Sequence, residues 1–294
     1  MQVKNGKGIG KNADAEYHVI QFESLAEIAK YAHDNPNPGK SDRRDDSHYN
    51  VTESLQDAYQ LAMHGWHDVR PQVDATLEPL REQLGKTLAT VTERAFDMTG
   101  FEPDIDRYIA GELECMIEDV FVPAPKDGKV FTLLVDASMT FNNEAKDILK
   151  RGAVLCALVD AYCLLGLQLE VWVESTVTGD DIRGRKYGTI LTKVNTAGDP
   201  IDVDALMFAL GHGDYNRRLQ WSVGEQDTFF RNKCGFSEYG YYGLNLNGAH
   251  MAEYVGASTV VTLDGNHAMT RDPLKWVLTQ LVDQGVVDSE DVFS

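Results

Sequence analysis

The stretch that decides the fold is Lys129-Val-Phe-Thr-Leu-Leu-Val-Asp-Ala-Ser-Met-Thr140. Its largely apolar, β-prone residues from Val130 to Val135 run without alternation into Asp136, which is typical of a strand buried on both faces. A polar turn follows, and an apolar helix pattern then extends to about Leu165. A buried strand, an acidic loop at its carboxyl end and a crossover helix together indicate an open α/β sheet with a site at that loop.

A second apolar strand pattern also ends in an aspartate, and it runs from Ala257 to Asp264. If the two strands are parallel neighbours, their carboxyl ends bring Asp136 and Asp264 to one edge of the sheet. Carboxylates, hydroxyls and water are the ligands that Mg²⁺ prefers. The pattern therefore predicts an oxygen site made by Asp136, Ser138, Thr140 and Asp264.

Composition indicates a globular protein of the cell interior. The 294 residues are 43% hydrophobic, which is enough for a substantial core. No apolar run reaches the roughly 20 residues of a spanning helix, and the first residues lack the apolar part of a secretory signal. We therefore expect a soluble, cytoplasmic protein without membrane contact. The four cysteines form no CxxC pair, which argues against disulfides and a zinc knuckle.

The chain divides into three predicted regions. Residues 1–16 are rich in Gly, Lys, Asn and Asp and are predicted to be a flexible N-terminus. Residues 17–125 are predicted to be mainly helical, and residues 126–294 to be an α/β domain. The first of these two regions has a strand pattern at 17–22 and helix patterns at 24–33, 52–63 and 73–96. The second has strand patterns at 167–174, 187–194 and 257–264, and helix patterns at 202–210 and 273–284.

These motifs resemble those of von Willebrand factor A (VWA) domains. VFTLLVDASMT, followed by a helix, is similar to the first strand and the DxSxS metal-ion-dependent adhesion motif of that family, with Thr140 in place of the second serine. STVVTLDGNHA is similar to the family's later strand ending in a T-D-G turn, with Leu263 where threonine is usual. The resemblance covers residues 129–285. The whole chain is also similar to VWA-like proteins of tailed phages.

The resemblance implies a Rossmann-like, VWA-type sheet flanked by helices, with residues 17–125 as an additional helical region. It also implies Mg²⁺-assisted capture of a partner's carboxylate, or a metal-free variant that keeps only the scaffold. The family's middle-loop threonine should lie between the strand at 187–194 and the helix at 202–210, and Thr196 is the candidate. The likeness to phage proteins implies the cytoplasm of a bacterial cell or a phage-infected host cell.

Other interpretations of the central loop stay open. Asp136 is, in one of them, a solvated carboxylate that caps the next helix. Ser138 lacks the GxSxG context of a hydrolase nucleophile, so we expect no enzyme, and a Mg²⁺-dependent phosphohydrolase using Asp136 and Asp264 is the enzymatic alternative.

A second group of residues combines aromatic rings with positive charge. Its members are Tyr215, Arg217, Arg218, Trp221, Arg231, Lys233, Phe236, Tyr239, Tyr241 and Tyr242. Aromatic rings interleaved with cations hold single-stranded nucleic acid, and tyrosine and arginine also anchor protein interfaces. The net charge of −19 repels polyanions and favours the protein interface.

The leading hypothesis is therefore a non-enzymatic binding or adaptor protein that recognises a macromolecular partner. In its metal-using version, the loop at Asp136 holds Mg²⁺. The runner-up is a cofactor that binds single-stranded nucleic acid, for example a phage transcription or replication factor that recruits a polymerase.

Overall fold

The structure is a computed structural model that describes residues 1–12, 14–35, 52, 54–123, 129–138, 144–181, 184–235, 244–245, 249–263 and 267–287. Within these residues, no helix is both long enough and apolar enough to cross a bilayer.

The secondary structure alternates strands and helices along the chain. The strands, named β1 to β10, are Gln2–Lys7, Glu16–Phe22, Ala89–Asp97, Glu102–Pro103, Met116–Pro123, Val130–Asp136, Gln168–Asp181, Gly184–Asn195, Leu244–Asn245 and Thr259–Thr262. The helices, named α1 to α11, are Leu25–Asp34, Leu55–His64, Arg70–Leu88, Ile105–Ala110, Ala145–Leu164, Val203–Gly211, Trp221–Gln226, Thr228–Lys233, Ala252–Val255, His267–Arg271 and Pro273–Asp283. A 3₁₀ turn at His67–Val69 precedes α3, and a π-helical segment at Tyr215–Gln220 precedes α7.

A seven-stranded sheet forms the centre of the molecule. Six strands lie in the order β1-β2-β8-β7-β6-β10, and β9 pairs with β7 beyond the end of β6. β2 is parallel to β8, and β6 is parallel to both β7 and β10, whereas the β1–β2 and β7–β8 pairs are antiparallel. The fold is therefore α/β: three of the five pairs along the six-stranded path are parallel, and helices flank the sheet.

Side chains alternate between the two faces of the sheet along each strand. Different elements cover the two faces. On the helical face, Leu133 of β6 joins a large hydrophobic core formed with α1, α2, α3, α5, α6 and α11. On the second face, Leu134 and Trp172 belong to a smaller cluster with Tyr17 and residues of the segment 249–257. The sheet thus has a thick helical side and a thinner side closed by loops and the short helix α9.

The central strand and its crossover helix are confirmed. Every residue of β6 from Phe131 to Asp136 is buried, which explains why the apolar run does not alternate. α5 follows and returns the chain to β7, parallel to β6. The strand pattern at 187–194 corresponds to β8, which is the antiparallel partner of β7. Ser24 caps α1, since its hydroxyl accepts from the Glu27 N–H at 3.1 Å.

Two segments differ from the sequence predictions. The helix predicted over 73–96 ends at Leu88 and residues 89–97 form β3, so that prediction is wrong beyond Leu88. The β-branched residues in Ala-Thr-Val-Thr favour a strand, and β5 supplies its antiparallel partner. The N-terminus predicted to be flexible contains β1, which pairs with β2.

Residues before the predicted boundary near 125 contribute to two sheets. β1 and β2 extend the main sheet beyond β8. β3, β4 and β5 form a separate three-stranded antiparallel sheet. The region from 17 to 125 therefore supplies one strand, β2, to the central sheet in addition to the helices that pack on it.

α5 and α6 touch through two glycines. A Cβ added at Gly152 would lie 2.7 Å from the Gly211 Cα and 2.9 Å from its nitrogen. These atoms are helix backbone, so the contact can be relieved only if the helices separate. We expect Gly152→Ala to lower the free energy of unfolding by about 1 to 3 kcal/mol, even though alanine favours a helix by ~1 kcal/mol over glycine.

Urea unfolding of the variant and the wild type measures this change. Gly6→Ala is the matched control, because a Cβ there meets only the Ile9 side chain, at 3.6 Å. We expect the control to stay within about 0.5 kcal/mol of the wild type. Equal stability of Gly152→Ala and the wild type would contradict the close approach of the two helices.

Candidate functional site

Asp136 ends the central strand and lies between the middle of β7 and the last residue of β10. It is in register with Glu174 of β7 on one side and with Thr262 of β10 on the other. The three strands run in the same direction, and β6 and β10 end together at one edge of the sheet. β7 continues past this edge to Asp181. Asp136 is fully buried at this edge.

Hydrogen bonds fix Ala137 and Ser138, the two residues that follow Asp136. The Ala137 N–H donates to the carbonyl oxygen of Glu174 at 2.8 Å, and the Ser138 N–H donates to Oδ1 of Asp136 at 3.0 Å. The Ser138 hydroxyl is buried and accepts from the Thr176 N–H at 3.2 Å. Asp136 and Ser138 are therefore brought together, and both are held against the middle of β7.

Glu174 is a second buried carboxylate at this edge. Its two oxygens accept from the backbone N–H groups of His250, at 2.6 Å, and Met251, at 2.8 Å. Burial, together with the negative charge of Asp136, raises the pKa of Glu174 to about 8. The sequence patterns do not identify Glu174 as a site residue. Its signal is its position, since it ends the strand predicted next to the central one, as Asp136 ends β6.

We refer to Asp136, Ser138, Glu174 and Thr176 as the sheet-edge site. Thr176 is buried, and its hydroxyl shares a 2.9 Å hydrogen bond with the hydroxyl of Thr189. The donor set is two carboxylates and two hydroxyls, and this all-oxygen chemistry fits a hard cation such as Mg²⁺. In the part of the chain that the structure describes, no three His, Cys, Asp or Glu side chains converge. Hydroxyls or water would therefore have to complete a coordination shell.

A cluster of aromatic rings adjoins Glu174 on the second face of the sheet. The Tyr17 hydroxyl lies 2.8 Å from Nδ1 of His250, and the Tyr17 ring stacks on that of Tyr187 with their centroids 4.9 Å apart. Burial lowers the pKa of His250 to about 4, so its ring is neutral at pH 7. Because the His250 backbone also donates to Glu174, this cluster forms a fixed wall of the site.

Two predicted ligands, Thr140 and Asp264, lie outside the described residues. The described chain reaches Ser138 on one side and Leu263 on the other. The Leu263 N–H donates to the Asp136 carbonyl at 3.1 Å. The chain after β10 therefore stays beside β6 up to the residue that precedes Asp264.

Thr196, the predicted middle-loop ligand, lies toward the opposite edge of the sheet. β8 is antiparallel to β7, and its last residue, Asn195, pairs with Val171. Continuing that register puts Thr196 four residues, or ~13 Å, along β7 from Glu174. It cannot share an ion with Asp136, and the prediction of Thr196 as a ligand is wrong.

The described members of the aromatic and basic group do not share one surface. Three of them are buried in the core, namely Tyr215, Arg218 and Trp221. Arg217 is half-buried and lies over the Trp221 ring, 4.1 Å from its centroid, whereas Arg231 and Lys233 are exposed on α8. A buried ring offers no stacking face to a base. The other members, which lie outside the described residues, are Phe236, Tyr239, Tyr241 and Tyr242.

Arg218 pairs with a buried acid. Its Nε lies 3.4 Å from Oδ1 of Asp214, and its guanidinium donates to the Thr52 carbonyl. The hydroxyl and the backbone N–H of Thr52 donate to Asp214 at 2.5 and 3.1 Å. Burial, partly offset by these bonds, raises the pKa of Asp214 to about 6. The three residues thus attach the segment before α2 to the π-helical segment, which gives Arg218 a structural role.

Comparison with known proteins gives a family and no individual relative. No curated protein and no solved structure matches the chain. A protein-family model matches residues 5–272. This range includes all four residues of the sheet-edge site, and it includes the whole main sheet except the first residues of β1. The chain therefore belongs to the family described as Domain of unknown function (DUF7192).

Proposed function

We propose that the chain is a non-enzymatic binding protein that recognises an acidic group of a macromolecular partner through Mg²⁺ at the sheet-edge site. The observation that carries the proposal is the register of β6, β7 and β10, with Asp136 between Glu174 and Thr262. Two buried carboxylates at neighbouring positions oppose each other's ionisation. A divalent cation would compensate both charges.

The strand order supports the resemblance to VWA domains. β6 and β10 are parallel neighbours, and between them the chain forms a crossover helix, the antiparallel pair β7–β8 and further helices. That is the order of elements that the resemblance implies. The DxSxT loop follows the middle strand of the parallel group β7-β6-β10, where an adhesion-type site would lie. A VWA-type role in binding is therefore part of the proposal.

In this proposal, Asp136 and Ser138 hold the ion, together with Thr140 and Asp264 from the resemblance. Glu174 is an additional carboxylate that the resemblance does not supply, and its side chain is already oriented by two backbone N–H groups. When bound, the ion supplies a positive charge and a coordination position for a carboxylate of the partner.

Mg²⁺ is expected to raise the melting temperature of the wild-type protein, because a ligand that binds only the folded state stabilises it. At a hundred times its dissociation constant, the ion adds about 2.7 kcal/mol, a shift on the order of 5 °C for a chain of this length. Asp136→Asn should abolish the shift. It removes a carboxylate charge and keeps an oxygen that can accept from the Ser138 N–H.

Thermal melts with and without MgCl₂, at equal ionic strength, measure this effect. Asp199→Asn is the matched control, because Asp199 is exposed near Thr196, away from the sheet-edge site. The control should keep the wild-type shift. The metal mechanism fails if Mg²⁺ shifts the wild type no more than NaCl does, or if the Asp136→Asn protein keeps the full shift.

A further inference from the structure

Large apolar side chains are exposed in the connections between the strands of the small three-stranded sheet. Every residue from Ala95 to Glu118 is described, and none of them is buried. Six large apolar residues in this range are more than half exposed, and we call them the apolar tip. They are Met98 at 66%, Phe101 at 61%, Ile105 at 59%, Tyr108 at 67%, Ile109 at 76% and Leu113 at 81%. Single exposed apolar residues are ordinary, but six of them within residues 98–113 make this segment a candidate interaction surface.

The apolar tip has a defined local structure. Asp104 caps α4 by accepting from the Arg107 N–H at 3.0 Å, and Gly111 ends the helix in the left-handed conformation with φ 75°. The Phe101 N–H donates to the Ile117 carbonyl at 2.9 Å, which holds the connection against β5. A surface that is already ordered loses little conformational entropy when it binds. The tip is therefore suited to docking in the conformation that it has.

Negative charge surrounds the apolar tip. Between residues 96 and 118 the chain has one basic residue, Arg107, and seven acids, which gives this segment a net charge of −6. The acids are Asp97, Glu102, Asp104, Asp106, Glu112, Glu114 and Glu118. Arg107 is already engaged, because its Nη1 lies 3.1 Å from Glu112 Oε2 and its guanidinium lies over the Phe96 ring. The rim that a partner meets is therefore acidic.

The negative charge of this segment favours some binding partners of the apolar tip over others. A second copy of the chain would bring the same net charge of −6 against the first, and nucleic acid or an anionic membrane would also be repelled. A protein with an apolar stripe bordered by lysine and arginine complements both the apolar side chains and the rim. We propose that the apolar tip is a docking surface for a basic, amphipathic segment of a protein partner.

The test uses a fluorescein-labelled synthetic helix of leucine and lysine as the probe, with a leucine and glutamate helix of the same apolar pattern as its counterpart. The full chain should bind the basic peptide, and less tightly as salt increases. The acidic peptide should not bind. Hydrogen exchange should show protection from the basic peptide within residues 95–118.

Ile109→Ser combined with Leu113→Ser should weaken binding of the basic peptide about tenfold or more, since the most exposed apolar side chains are lost. Neither side chain is buried, so the fold should persist. Met63→Ser is the matched control, because it removes an apolar side chain that is 41% exposed on α2, and it should bind like the wild type. Asp136→Asn should also bind the peptide like the wild type, which separates this proposal from the metal site.

Several results would overturn the docking proposal. They are equal binding by the double variant and the wild type, protection of amides only outside residues 95–118, and binding of the acidic peptide as tight as that of the basic one. A dimer that the double variant dissociates in sedimentation would assign the surface to a second copy. Attachment to phosphatidylserine vesicles that the double variant loses would assign it to a membrane.

Discussion

Arg218→Ala is expected to lower the free energy of unfolding by about 3 to 5 kcal/mol. Arg218 and Asp214 are both almost completely buried, and removing the arginine leaves the carboxylate without its cation. The Thr52 carbonyl loses a donor in the same change. Taking one partner from a buried ion pair is costly because the remaining charge stays out of water.

Urea unfolding at pH 8 and pH 5 measures the loss. Arg218 lowers the pKa of Asp214, so the variant's Asp214 takes up a proton more readily, and the loss should be smaller at pH 5. Arg217→Ala is the control, because Arg217 is only half-buried and lies over the Trp221 ring. It should cost about 1 kcal/mol or less.

A double variant keeps the prediction testable if Arg218→Ala does not fold. Asp214→Asn with Arg218→Met removes both charges and leaves an amide oxygen that can accept from Thr52. It should recover most of the stability that the single variant loses. A single variant as stable as the wild type would show that Arg218 is not the partner that the buried carboxylate needs.

Acid is expected to destabilise the wild-type protein more than a His212→Asn variant. His212 is buried, its Nδ1 accepts from the Asp214 N–H at 3.1 Å, and the Trp66 ring meets it edge-on with centroids 4.4 Å apart. Burial lowers the pKa of His212 from 6.5 to about 4. Between these two values the unfolded chain binds a proton that the folded protein does not, so stability falls as the pH falls. The effect of this one group amounts to about 3 kcal/mol between pH 7 and pH 4.

The measurement is the difference in unfolding free energy between wild type and variant at pH 7, 5.5 and 4. Asparagine retains an acceptor for the Asp214 N–H and does not titrate, so the difference removes the contribution of distant shifted groups such as His250. The unfolding free energy of the variant should rise relative to that of the wild type as the pH falls. Parallel pH profiles would show that the folded protein protonates His212 as readily as the unfolded chain does.

The elements that sequence patterns predict well are those whose environment is uniform along their length. β6 is buried on both faces, and α5 is buried over most of its length, so both have nearly continuous apolar sequences. β3 is different. The leucine spacing that defines α3 continues through Leu88 to Val91 and Phe96, and only the pairing with β5 shows that the helix has ended. β1 has a polar, glycine-containing sequence, and its order comes from pairing with β2.

The candidate site, like the fold, can be predicted from the sequence only in part. Asp136 can be predicted because it ends the most apolar strand in the chain. The contribution of Glu174 depends on the register between β6 and β7 and on two N–H groups about 76 residues away. Thr196 depends on the antiparallel direction of β8, which moves it toward the other edge. Arg218 has the residue type of a binding surface, but its burial against Asp214 depends on tertiary packing.

The parallel pairing of β2 with β8 constrains how the chain is completed during synthesis. Glu16 is in register with Lys186, 170 positions later. At roughly 5 to 20 residues per second, the ribosome needs about 10 to 35 s to make the intervening chain. During that interval β2, with its apolar Tyr-His-Val-Ile sequence, has emerged without its final neighbour, and it is then a segment on which a chaperone would act.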